Sequence, residues 1–153
     1  MVEVGRFEEA IAPLEQVLRQ EPDLAPACFR LAKSHYELGR SAEAEPLLQR
    51  ILKKDSRWDD YSAWRMLLEV QEDLKKDEVV LDTARSLVKM SPRMEHKVML
   101  ATHLARLNHD GEARLILENA LQEQQFVTGP VRRLNRRWVK EARRLLRELS
   151  PKE

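Results

Sequence analysis

Four histidines and one cysteine are the side chains most able to start chemistry in this chain. Helical zinc sites pair ligands at i and i+4 and add a carboxylate. His96, His103 and His109 are seven and six residues apart, so none of them makes that pair. His35 takes an inward slot on its helix and reads as a core-edge residue. A lone Cys28 excludes an intrachain disulfide and a cysteine zinc cluster. Burial as a small hydrophobe is its expected state. There is no Gly-rich phosphate loop, no nucleophile elbow, and no Ser or Cys in an activating setting. Glu8-Glu9 and Asp59-Asp60 look like helix-start acids, which the helix dipole favours. No catalytic residue, metal ligand set or cofactor is expected.

The other chemical signal is charge. From Phe126 onward the chain holds nine Lys or Arg and three Glu, whereas the rest carries 18 basic and 23 acidic side chains. The basic residues are Arg132, Arg133, Arg136, Arg137, Lys140, Arg143, Arg144 and Arg147. Among them run Val131, Leu134, Trp138, Ala142, Leu145 and Leu149, at intervals of three and four that make one helical stripe. Gly129-Pro130 opens this helix and Ser150-Pro151 ends it, giving a basic amphipathic cap over 130–149. Such a helix either solvates the end of a stack or docks on an anionic surface. Nucleic acid is disfavoured, because the one aromatic, Trp138, lies on the apolar stripe where it cannot stack bases. A membrane is disfavoured because that stripe is needed to cover the preceding helices. An acidic protein segment, the acidic body of another copy included, fits best.

The elements that carry these residues are helices. Of 153 residues, 42% are hydrophobic and 35% charged, with only 4 Gly and 5% aromatic, so strong helix formers dominate. No run approaches the ~20 apolar residues of a membrane span, and the N-terminus lacks a signal-peptide core. The net charge of +1 gives the whole molecule no electrostatic preference for a partner. A reducing compartment, the cytoplasm, is expected.

Self-similarity is the main pattern. Gly5-Arg6-Phe7-Glu8-Glu9-Ala10 aligns with Gly39-Arg40-Ser41-Ala42-Glu43-Ala44 at an offset of 34 residues, and Leu14, Val17 and Leu18 fall on Leu48, Ile51 and Leu52. Pro22 falls on Ser56; steps of 36 and 33 then reach Pro92 and Gln125, where the pattern fades. Each block holds two amphipathic helices. The units are 1–22 (a second helix without its first), 23–56, 57–92 (two residues longer), 93–125, and the cap.

This pattern resembles the tetratricopeptide repeat family over roughly residues 1–125. Leu31-Ala32 and Leu100-Ala101 fill that family's Leu-small pair, Gly39 its turn, Ala10, Ala44 and Ala113 its small position in the second helix, and Pro22 and Pro92 its closing proline. Cys28 and Trp64 stand at the large-residue slot. Departures are bulky Leu68, Lys75-Lys76-Asp77 in place of a Gly turn, and Lys97 where a large apolar residue is usual. The resemblance implies an all-α, right-handed superhelical solenoid of antiparallel helix-turn-helix hairpins, about eight helices in all. It also implies a non-catalytic scaffold that binds a partner peptide or helix in a concave groove. The matching positions for partner binding are Arg30, Lys33, Tyr36, Arg65, Met66, Glu69, Met99, Thr102 and Arg106, with Phe29, Glu72 and Val98 also outward. Only Lys33 fits the family's carboxylate clamp, so that clamp is not expected.

The start of the chain yields one more expectation. Without its first helix, residues 7–21 leave Phe7, Ile11, Leu14 and Leu18 as an exposed stripe, as in a fragment of a longer array. Such an end would seek cover by oligomerisation or helix exchange.

Overall fold

A computed structural model describes residues 2–149, with side chains from residue 5 onward. Every regular element among the described residues is helical: α1 (Val2–Gln20), α2 (Ala25–Glu37), α3 (Ser41–Lys54), α4 (Trp58–Asp73), α5 (Asp77–Met90), α6 (Met94–Arg106), α7 (Asp110–Glu123), α8 (Gly129–Leu134) and α9 (Arg136–Leu149), with a 3-10 turn at Gln124–Phe126. The Ser150-Pro151 stop lies outside the described residues. Two compact units form, Met1–Asp77 and Glu78–Glu153. Their boundary falls inside the 57–92 block, at the first residue of α5.

In the first unit each helix packs on the next, α1 on α2, α2 on α3 and α3 on α4, and α2 also touches α4. Ala32 and Ala44 are fully buried, so the backbones of α2 and α3 can approach closely. Around them Cys28, Leu31, Leu48, Ile51, Ala63 and Leu67 make the core. The expected exposed stripe on α1 needs correction. Leu18 is 8% exposed and belongs to this core, Ile11 and Leu14 pack against it, and Phe7 is half-buried. Those residues face α2, so the hairpin neighbour that follows α1 covers the stripe.

The large-residue slot repeats with its hydrogen bond. Cys28 Sγ donates to the carbonyl of Pro22 at 3.5 Å, and Trp64 Nε1 donates to the carbonyl of Ser56 at 2.7 Å. Ser56 is the residue that aligns with Pro22, yet eight residues separate Ser56 from Trp64 where six separate Pro22 from Cys28. The additional length is taken up by a left-handed turn. Asp59, Asp60 and Tyr61 all have positive φ (48°, 51° and 68°), and Ser62 Oγ ties the turn by donating to the Asp59 carbonyl at 2.6 Å. The acids at 59 and 60 therefore shape this turn and do not sit in a regular first helical turn. Left-handed backbone costs a non-glycine residue roughly 1–2 kcal/mol, which buried Tyr61 and the Trp64 anchor offset.

In the second unit α6 packs on α7, and α9 lies against both. Ala101, Leu104, Ala113 and Leu117 are fully buried, and Arg85 of α5 reaches Glu112 of α7 at 3.0 Å. Lys97 is not a defect in the packing: its ammonium extends to Glu123 Oε2 at 2.6 Å. The C-terminal cap is two helices and not the one expected over 130–149. Thr128 caps α8, accepting from the Val131 amide, and Asn135 interrupts the run as its side-chain amide donates to Gln124 Oε1 at 3.2 Å. Side-chain hydrogen bonds of this kind compete with a continuous helix. Ala142 and Leu145 of α9 are buried, whereas Val131 and Leu134 of α8 are exposed. The upper end of the apolar stripe therefore does not cover the preceding hairpin; α9 alone does that.

Candidate interaction surface

The first unit carries six of the nine residues expected to bind a partner. Arg30 and Lys33 of α2 and Glu69 of α4 are exposed, while Tyr36, Arg65 and Met66 are half-buried. Tyr36 and Met66 rest on the core cluster from outside, which fixes them on the surface of adjacent helices. Phe29 stacks at a tilt on Trp58, ring centroids 5.2 Å apart, and Arg65 donates to Ser62 Oγ. The result is an amphipathic face with anchored apolar parts and charged rims, suited to a protein surface more than to a small metabolite.

One end of this face is strongly acidic. Burial and then the carboxylates of Glu69, Asp73, Glu37 and Glu72 hold the Tyr36 hydroxyl above the usual phenol range. Burial, with Glu37 and Glu72 adding, likewise pushes the Glu69 carboxyl up. Four carboxylates thus converge where α2 and α4 end. Only Glu69 of them was expected as a binding residue and Glu72 as merely outward; the convergence needs the packing of α2 on α4, which spacing along one helix does not reveal.

The second unit holds Met99, Thr102 and Arg106 on α6. Met99 and Thr102 are half-buried and Arg106 is exposed. The Thr102 hydroxyl donates to the Val98 carbonyl of its own helix at 2.7 Å, so it is already used. Val98 itself is 2% exposed and is core, not an outward residue, because α7 and α9 both pack against α6.

All eight residues of the basic face are exposed, but they are not equivalent. Arg144 pairs with Glu141 and Glu148 on its own helix. Arg137 lies over the Trp138 ring, 4.7 Å from its centroid, and Arg132 donates to the carbonyls of Gln124 and Val127. Phe126 and Leu134, 82% and 77% exposed, stand beside this segment. The fading of the repeat pattern at Gln125 was the only sequence sign of that exposure.

Cys28 and three of the four histidines, His35, His96 and His103, are buried, whereas His109 is exposed. His35 Nδ1 lies 2.9 Å from Glu43 Oε2, and His96, fully buried, meets the Ser91 carbonyl at 2.9 Å through Nδ1. Burial pushes the Cys28 thiol up, against the opposing pull of the Arg50 guanidinium. Among the described residues no three His, Cys, Asp or Glu side chains gather into a set that could hold a metal ion. No helix among them is long and apolar enough to cross a membrane.

Comparison with known proteins bears on the fold. A tetratricopeptide repeat family model matches residues 1–69. Among solved structures, a crystal structure of MamA superposes with a TM-score of 0.64 at 15% identity, covering 95% of this chain and 87% of that one. A second MamA crystal structure gives 0.63 at 15% identity, covering 90% and 81%. No curated protein sequence matches the chain.

Proposed function

We propose that the chain, whose residues 1–69 match a tetratricopeptide repeat family model, is a non-catalytic scaffold whose α2–α4 face holds a segment of a partner protein. The observation that carries this reading is the pairing of anchored Tyr36 and Met66 with exposed Arg30, Lys33 and Glu69 on the side of the first unit away from its core. Apolar residues fixed in place cost little entropy on binding, and the charged rim supplies orientation. Cys28, His35, His96 and His103 are buried away from any substrate. Met99 and Arg106 on α6 are proposed as contact residues of the second unit taken by itself.

The test is photocrosslinking. A photoreactive residue in place of Tyr36 or Met66 captures the partner, and one in place of Glu118 on α7 does not. Reversal of Lys33 and Arg65 to Glu lowers that capture about tenfold. Equal capture from α7, or capture unmoved by the reversal, rules the α2–α4 face out.

A further inference from the structure

The apolar surface that the fold leaves uncovered is concentrated at one place. Phe126 and Leu134 are the two most exposed large hydrophobic side chains among the described residues, at 82% and 77%, and Val131 is exposed as well. Single exposed hydrophobics are ordinary, but three within the stretch 126–134 form a patch. Val131 and Leu134 are three apart and share a face of α8, which does not cover the preceding hairpin. Phe126 ends the 3-10 turn that α8 holds in place: Arg132 donates to the Gln124 and Val127 carbonyls, and the Asn135 amide donates to Gln124 Oε1. The patch is therefore fixed before it meets anything.

The same segment is cationic without interruption. From Gln124 to Lys140 it holds Arg132, Arg133, Arg136, Arg137 and Lys140 and no Asp or Glu. The carboxylates that flank it are engaged by other cations, Glu123 by Lys97 and Glu141 by Arg144. All five basic side chains are exposed, as are the apolar ones they flank. Protein partners grip apolar anchors in pockets, whereas here the apolar side chains themselves stand out, and a residue four-fifths exposed lines no groove. Their complement is a negatively charged surface that yields around them. Four of the five cations are Arg, whose planar guanidinium matches phosphate oxygens bidentately. An anionic bilayer offers both parts, phosphates at its surface and an acyl region just beneath.

We propose that residues 124–140 dock the second unit on an anionic phospholipid bilayer, with Phe126 and Leu134 entering the acyl boundary and Arg133, Arg136 and Arg137 resting on lipid phosphates. The contact is peripheral, since no described helix is long and apolar enough to span. Peripheral attachment takes two signals, and this segment carries both, apolar insertion and positive charge. Long cationic side chains stay at the phosphate layer while the apolar groups beside them go deeper. Each cation near such a surface strengthens binding roughly fivefold, and salt screens that part of the attraction.

Flotation of the full chain with phosphatidylcholine vesicles, with and without phosphatidylserine, tests this. The wild type floats with the anionic vesicles, stays behind with the neutral ones, and is released as salt rises. Arg133→Glu together with Arg136→Glu weakens binding by more than about tenfold. Phe126→Ser together with Leu134→Ser weakens it about tenfold and, both residues being exposed, keeps wild-type helicity by circular dichroism. Leu115→Ser on α7, also at an exposed position, leaves binding unchanged. A solvent-sensitive fluorophore on Leu134→Cys shifts to the blue with anionic vesicles, which reads insertion without depending on the serine variant. A wild type that ignores anionic vesicles at low salt overturns the proposal. So does an unshifted fluorophore, or binding that survives the loss of Phe126 and Leu134, since charge alone would then explain it. Binding of an acidic peptide or an RNA oligomer by a chain that ignores the vesicles assigns the segment to that partner and overturns it too. These variants leave α2 and α4 untouched, so partner capture at Tyr36 and Met66 is scored separately.

Discussion

Gly39 and Lys75 hold the same turn position in successive hairpins, with φ of 77° and 57°. The hydrogen bonds around them repeat as well. Arg40 N donates to the His35 carbonyl at 2.7 Å, and Lys76 N donates to the Gln71 carbonyl at 3.1 Å. Asn108, φ 66°, and the bond from His109 N to the Leu104 carbonyl at 2.8 Å form the third instance. Each is a helix end closed by one left-handed residue.

Only glycine takes that conformation without cost, and asparagine takes it at a reduced one. Lys75→Gly is therefore expected to stabilise the first unit by about 1 kcal/mol, and Gly39→Ala to destabilise it by about the same amount. Urea denaturation of both variants checks the pair. A destabilised K75G would show that the Lys75 side chain contributes more than its backbone strain removes.

Glu45 is a buried carboxylate held by two donors, Gln71 Nε2 at 3.1 Å and Lys76 Nζ at 2.5 Å. Glu45→Ala leaves the buried Gln71 amide without its acceptor and should cost about 1–3 kcal/mol. Lys76→Met should cost less, because Lys76 is largely solvated. Thermal unfolding ranks the two, and an equal or reversed ranking would place the weight of the cluster on the lysine.

Two carboxylates give opposite pH signatures. Partial burial and like charges raise Glu69, so its folded form binds its proton more tightly than the unfolded chain, and its ionisation opposes folding as pH rises from the ordinary carboxylate value through the raised one. The hydrogen bond from Arg144 lowers Glu141, whose contribution is present above the ordinary value of 4.5 and is lost as pH falls through the lowered one. Glu69→Gln should stabilise at neutral pH by up to about 0.5 kcal/mol, the benefit vanishing in acid. Glu141→Gln should flatten the acid side of the stability profile. Melts from pH 3 to 8 read both slopes, with the range set by ordinary carboxylate titration.

Leu117 is fully buried and Leu134 is 77% exposed, though both stand on apolar stripes in the sequence. Leu117→Ala should cost about 2–5 kcal/mol and Leu134→Ala less than about 0.5 kcal/mol. Comparable losses in denaturant midpoints would mean that α8 is packed as tightly as α7.

Much of this fold was legible because hairpin repeats are written locally. The alanines at 32, 44, 101 and 113 announced close helix crossings, and the 34-residue alignment found the turn at Gly39, although Gly5 itself lies inside α1. Lys75 was harder, since lysine does not advertise a left-handed backbone; the hydrogen bonds of the helix end impose it. The exposed α1 stripe was misread because periodicity tells which face of a helix is apolar and not which neighbour reaches it. The cap was misread for a related reason. Val131, Leu134, Ala142 and Leu145 have equal standing in a periodic pattern, yet the Asn135 side chain and the reach of α9 divide them. Of the site, single residues such as Tyr36, Met66 and Glu69 were legible. The acidic convergence with Glu37 and Asp73 was not, because it arises where two helix ends meet.

The enclosure of Cys28 has a practical consequence. The chain's single sulfhydryl is buried on the core face of α2 with its hydrogen bond to Pro22, so native protein should be silent to maleimide reagents. A cysteine introduced at Lys140 or at Glu72 would then be the one reactive handle, and fluorophores could be placed on either unit without first engineering the original thiol away.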